Sequence, residues 1–453
     1  MSALVASPTE QDKVRELQRT LYRAAKADPG RRFHALYDKV HRRDVLERAW
    51  GQVRRNRGAA GIDRITLAQV EEYGVEPLLD ELAVCLKDEQ YRPLPARRVF
   101  IPKPGSAERR PLSIPTVRDR IVQAALKIVI EPIFEADFLS CSFGFRPQRA
   151  AHDALQAILD ECYRGRRWVV ETDIASCFEA IPHERLMAAV EERVVDRHCL
   201  KLLRALLRVG VMEQGAVRHS VSGTPQGGVV SPLLCNVYLH RLDRQWQTRG
   251  HGVLIRYADD LLVMCTTETE ARRALAALRM LLSELGLEPK EAKTRIVHLR
   301  EGGEGFDFLG FHHRYVRGRT RRSRNLTFLA RWPSRRAMQQ ARDRIRELTA
   351  RERLLLPVEE VVQDVNGFLR GWAGYFRYGN SARSFDKIGT YALERLSLFV
   401  AKRHRKPRSF GWLMVAYESP NRMALINLNG RVVAPRPNRP WREKPNAGGE
   451  GRR

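Results

Sequence analysis

The stretch Leu254-Ile255-Arg256-Tyr257-Ala258-Asp259-Asp260-Leu261-Leu262-Val263-Met264 limits what this chain can fold into more than any other. Two adjacent carboxylates sit between apolar, β-compatible runs, a pattern that reads as strand, two-residue turn, strand. Successive strand side chains point to opposite faces, so both carboxylates share one spot only if they occupy the turn. A hairpin with Asp259 and Asp260 at its tip is therefore predicted. Neighbouring carboxylates repel by on the order of a few kcal/mol at short range, and a pair flanked by buried strands calls for a divalent cation. Trp168-Val169-Val170-Glu171-Thr172-Asp173-Ile174 is a second buried-strand pattern, and it too ends in a carboxylate. Burying that group costs several kcal/mol unless a cation or hydrogen bonds satisfy it, which makes Asp173 the third member of the expected metal site. Phe178 follows, where a ring can floor a substrate pocket or simply pack in the core.

Charge points to the partner. Lys plus Arg number 80 against 53 Asp plus Glu, a net +27, and a field of that sign and size suits a nucleic acid. The basic, glycine-marked loop 52–63, with Arg54 and Arg55, is suited to gripping phosphates. Arg97–Gly105 and Arg109–Pro115 read as a hairpin carrying Arg98, Lys103, Arg109 and Arg110, a ribbon able to close over a triphosphate. Val221–Pro232 is a glycine-rich loop holding Gln226, with Ser231 expected as the N-cap of a helix running through Leu242. A helix is expected over 269–285, followed by a turn and strand around Lys293. From Arg314 the composition shifts toward Arg, and Val365, Leu369, Trp372 and Phe376 fall at helical spacing with Arg370 and Arg377 on other faces. Seven scattered Cys without a Cys-x-x-Cys pair indicate neither a disulfide framework nor a zinc site, and a reducing, cytoplasmic setting fits. No run approaches the roughly 20 apolar residues that span a bilayer, so no membrane partner is expected.

Eight motifs in order resemble the reverse transcriptases encoded by bacterial group II introns, the intron maturases. They are Ile101-Pro102-Lys103, Gly144-Phe145-Arg146-Pro147, Asp173-Ile174 with Phe178, Thr224-Pro225-Gln226-Gly227-Gly228, Tyr257-Ala258-Asp259-Asp260, Ala292-Lys293-Thr294, Phe308-Leu309-Gly310, and Gly367–Phe376. The resemblance covers about residues 30 to 430 and implies an α+β right-hand polymerase. Fingers and palm with an antiparallel sheet would be followed by an α-helical thumb or maturase domain. The domains expected are a flexible N-terminus (1–30), an extension of the fingers (31–95), fingers and palm (96–330), the helical RNA-binding domain (331–418) and a basic tail (419–453). The resemblance also implies two Mg²⁺ ions, with Mn²⁺ a possible substitute, held by Asp173 and Asp259 with a backbone carbonyl near Ile174; Asp260 is the supporting carboxylate. Lys103, Arg110, Phe178, Gln226 and Lys293 are the implied dNTP contacts, Phe178 by blocking a 2′-hydroxyl. Arg54, Arg55, Arg370, Trp372 and Arg377 are the expected RNA contacts. Intron RNA, target DNA and dNTPs are the expected partners, and the activity is RNA-directed DNA synthesis with assistance to splicing during retrohoming.

Many such proteins carry a zinc-associated nuclease near the C-terminus, yet no His or Cys follows His404 here, so second-strand cutting is not expected. A domesticated polymerase in repair or defence, or a splicing cofactor without catalysis, remain the alternative readings.

Overall fold

The computed structural model describes residues 10–102, 109–213, 216–218, 223, 227–318, 324–417 and 425–438. The chain divides into two compact units, residues 1–151 with 170–295, and residues 152–169 with 296–453. This division differs from the boundary expected at residue 330, because the strands after residue 296 go with the second unit.

The first unit is built on the helix Val117–Glu135, which is buried almost all round. Such a helix has no polar face and must lie at the centre of its layer. Thr116 caps it by accepting from the Asp119 N–H. The helix Glu10–Ala27 lies against it, burying Val14, Leu21 and Ala25, and Gln18 donates to the Ile128 carbonyl at 3.1 Å. These three residues form one helical stripe, so the expected flexible N-terminus is instead ordered from Glu10 onward.

Strands β1 (Ala96–Pro102) and β2 (Arg109–Ile114) form the expected antiparallel hairpin, with Arg97 opposite Ile114 and Pro102 opposite Arg109. Strand β3 is Trp168–Asp173, and the short strands β4 (Val211–Glu213) and β5 (Ala216–Arg218) extend the first sheet to the order β2-β1-β4-β5. A second sheet runs β6-β7-β3-β8, with β6 at Val253–Tyr257, β7 at Asp260–Cys265 and β8 at Arg295–His298. Behind it the helix Ser231–Arg249 starts and ends differently from expectation. Ser231 is its first residue rather than its cap, Pro232 occupies the first turn, and burial of Leu242, Asp243 and Trp246 carries it on to Arg249. The helix Glu268–Glu284 is capped by Thr267, which accepts from the Glu270 N–H.

The second unit holds a sheet of order β11-β10-β9, from β9 (Phe306–Phe308), β10 (Phe311–Arg317) and β11 (Thr327–Pro333). Its helices Arg335–Leu348, Val358–Phe376 and Ala382–Arg403 pack together, as the helical spacing around Val365 and Leu369 predicts. Residues 425–438, expected in a basic tail, run along this unit. The Ile426 N–H donates to Asn366 Oδ1, the Val433 N–H to the Arg377 carbonyl and the Asn438 N–H to Asp160 Oδ1, each at 2.8 Å, while Leu428 is buried. Among the described residues no helix is long and apolar enough to cross a membrane.

Candidate polymerase active site

The site begins with the Val253–Cys265 hairpin. Tyr257 pairs with Asp260, so the two turn residues are Ala258 and Asp259, and Asp260 already opens β7. This corrects the expectation that both carboxylates occupy the turn. Ala258 takes φ 57°, which supplies the tight reversal and lets consecutive carboxylates sit on one end of the hairpin. The Ile174 N–H donates to the Asp259 carbonyl at 3.2 Å, fastening the end of β3 beside the turn. On its other side, the Lys290 N–H donates to the Asp173 carbonyl at 2.7 Å and the Ala175 N–H to the Glu288 carbonyl at 2.9 Å. None of these bonds engages the Ile174 carbonyl.

Asp173, Asp259 and Asp260 are thus brought together. Burial, the charges of Asp173 and Asp259 and a hydrogen bond with Asp173 push the Asp260 carboxyl up to about 7. Lys293 opposes that shift: its Nζ donates to Asp173 Oδ2 at 2.5 Å. The pull of Lys293 does not cancel the shift, so Asp260 remains held up by its two carboxylate neighbours. Among the described residues no three carboxylate, imidazole or thiolate groups already form a set that could hold a metal ion. The donors that the three aspartates offer are hard carboxylate oxygens, the chemistry that Mg²⁺ takes.

The floor and rim follow. Phe178 lies partly buried in the short helix Cys177–Ala180. Gly223, at φ 89°, comes so close that an added Cβ would fall 3.0 Å from the Phe178 carbonyl oxygen and 2.8 Å from Glu179 Cα. The His183 Nε2 and Gly223 carbonyl are 2.6 Å apart, fixing that end of the glycine-rich loop. Its other end is anchored at Gly227, φ 111°, where a Cβ would meet the Ser113 carbonyl of β2 at 2.4 Å, and at Val229, whose N–H donates to Gln123 Oε1 at 2.8 Å. Gln226 and Lys103 lie outside the described residues, and of Arg110 only the backbone, paired with Ile101, is described.

Sequence reasoning passed over the group that holds the hairpin. Arg256 is fully buried in β6 and its guanidinium grips Asp243 through two bonds of 2.8 and 2.6 Å. The same group donates to Asn236 Oδ1 at 2.9 Å and to the Ala258 carbonyl at 3.1 Å. Asn236 in turn donates to the Gly144 carbonyl at 2.8 Å. An arginine inside an otherwise apolar strand was the available signal.

The expected RNA contacts divide. Arg54 and Arg55 are exposed at the end of the helix Arg43–Arg55, Arg54 with Glu71 at 2.6 Å, and Arg370 and Arg377 are exposed on the second unit. Trp372 is corrected to core: it is buried, with ring centroids 5.1 Å from Phe376 and 5.2 Å from Phe385, so its face is already covered.

A family described as "Reverse transcriptase (RNA-dependent DNA polymerase)" matches residues 101–313, and "Group II intron, maturase-specific domain" matches residues 338–417. Protein YkfC of Escherichia coli K12 is 35% identical, over 68% of this chain and 90% of that one. The group II intron-encoded protein LtrA of Lactococcus lactis subsp. cremoris is 39% identical over 47% of this chain and 35% of its own length. An uncharacterized 91 kDa protein in the cob intron of Schizosaccharomyces pombe is 30% identical over 49% of this chain and 34% of its own. The matches to these last two span about a third of each relative.

Proposed function

The chain belongs to the family of group II intron reverse transcriptases and maturases, and from that premise we propose that it copies RNA into DNA by two-metal chemistry at Asp173, Asp259 and Asp260. The observation that carries this reading is the convergence of three carboxylates at one hairpin end, with Asp260 held up to about 7 by its neighbours. Mg²⁺ commonly keeps several waters and binds through one or two carboxylates plus substrate phosphates, which fits a carboxylate donor set that the triphosphate completes. When bound, two such ions activate the primer 3′-hydroxyl and neutralise charge on the triphosphate and leaving pyrophosphate; Mn²⁺ can substitute.

The protein's own residues then have separable tasks. Asp173 and Asp259 offer carboxylate oxygens, with the Ile174 carbonyl beside them, and Asp260 shapes the charge of the turn. Lys293 neutralises Asp173 through its Nζ and would meet the triphosphate of a bound dNTP. Lys103 and Arg110 clasp the triphosphate from the β1–β2 hairpin, Gln226 lines the nucleotide pocket, and Phe178 excludes a 2′-hydroxyl. Arg54, Arg55, Arg370 and Arg377 contact intron RNA through its phosphates. Intron RNA serves as template and splicing partner, and target DNA receives the copy. A cofactor that only aids splicing has no use for three mutually repelling carboxylates.

Primer extension on an RNA template with dNTPs and Mg²⁺ tests this. Native protein extends the primer, a chelator stops it, and Asp259→Ala lowers the single-turnover rate by roughly 10³-fold or more while RNA affinity is kept. Equal extension by both proteins would overturn the assignment.

A further inference from the structure

Phe145 is 49% exposed, and its backbone lies at φ 56°, a region that bulky L-residues rarely enter. A lone exposed apolar residue is ordinary. This one is both strained and anchored on each side. After it, the buried Arg146 guanidinium donates to Glu135 Oε1 at 2.6 Å, to the Leu139 carbonyl at 2.7 Å and to the Ser142 carbonyl at 2.8 Å. Before it, the Phe143 N–H donates to the Arg256 carbonyl at 2.9 Å. Gly144 lies so near the catalytic turn that an added Cβ would fall 2.4 Å from Ala258 N. Phe145 is therefore held in solvent one residue from the backbone that presents Asp259. Strain of this kind persists only where the surroundings over-determine it, and it collects at ligand contacts.

An exposed aromatic ring on a backbone anchored beside the catalytic turn matches the requirement of a base-stacking platform, because the backbone that carries the ring is ordered on folding rather than on binding. We propose that Phe145 stacks on a base of the RNA template next to the templating position, and so governs how tightly primer–template is held. The proposal rests on the polymerase reading above. Arg149, whose guanidinium lies 5.3 Å from the Phe143 ring centre, and the net charge of +27 supply the attraction for the phosphate backbone that brings the base there.

The test uses the full chain and a fluorescently labelled RNA/DNA primer–template. Phe145→Gly keeps a backbone that accepts positive φ while removing the ring. It is expected to weaken primer–template binding by about 5- to 150-fold, the range for one lost base–aromatic stack. The rate of incorporation at saturating primer–template should change less than about threefold, and the melting temperature should not fall, as the strain is relieved. Phe145→Tyr should restore affinity. An abasic nucleotide walked along the template should weaken native binding at one position, and that penalty should vanish in Phe145→Gly. Native-like affinity in Phe145→Gly, or a defect that no abasic position matches, overturns the platform. If the native chain extends no primer, the polymerase reading itself fails, which is a separate result.

Discussion

Arg256 and Asp259 stand on one hairpin three residues apart, and the charged clusters around them differ in kind. Arg256 is fully buried and bonded through every guanidinium nitrogen: Nε and Nη2 donate to Asp243, which matches its charge, and Nη1 donates to Asn236 and the Ala258 carbonyl. The Asp173–Asp259–Asp260 cluster is only partly buried, and the charges of Asp173 and Asp259 hold the Asp260 carboxyl up against the pull of Lys293. A buried charge with all its partners can only be scaffold, since nothing is left to offer a ligand. A cluster that holds one carboxyl well above its ordinary value keeps a cost in the folded protein that a bound cation can remove.

The contrast breaks first at Arg256. Arg256→Met leaves Asp243 buried and unpaired, and should destabilise the protein by about 3–5 kcal/mol in denaturant unfolding. A loss below about 1 kcal/mol would mean that the pair is not scaffold. On the other side of the contrast, Phe178→Ala should alter selectivity more than stability. NTP incorporation relative to dNTP should rise by roughly 10- to 100-fold in competition assays, the scale of a steric pocket contact. Unchanged sugar selectivity would remove that ring from the pocket rim.

A smaller effect sharpens the scaffold side. His240 packs against Phe138 at 5.6 Å, and burial pushes its imidazole down to about 4, with Asp243 and Glu192 pulling it up and Arg244 and Arg256 pushing it further down. Below pH about 6.5 the unfolded chain takes up a proton there that the folded chain refuses until about pH 4. Stability present at pH 7 is therefore lost as the pH falls through that window, by about 1–2 kcal/mol at pH 5. His240→Gln should flatten this slope in unfolding curves taken at pH 7 and 5.

The contrast also explains what could be read from the sequence. The three aspartates announced themselves because adjacent carboxylates among β-branched and apolar residues have no structural use. The hairpins were legible because alternation and turn chemistry are local. The turn was misassigned by one residue, since only the φ 57° backbone at Ala258 reveals that Asp260 belongs to β7. The order of the helix Glu10–Ala27 depends on Ile128 and Ala136, more than a hundred residues away, and no local pattern reports that contact. Trp372 stands on an aromatic helix face of the kind that more often packs in a core, yet the basic residues around it suggested RNA; Phe376 and Phe385 lie against it. Strands β4 and β5, three residues each, are too short for periodicity to detect.

The most direct measurement is the unfolding free energy of Asp260→Asn against the native chain at pH 8 without divalent cation, with the single-turnover extension rate taken in Mg²⁺ on the same samples. If the cluster is held under charge strain for the sake of catalysis, the variant should be more stable by about 1–3 kcal/mol and markedly slower. A variant that is less stable, or as fast as the native protein, would contradict the account.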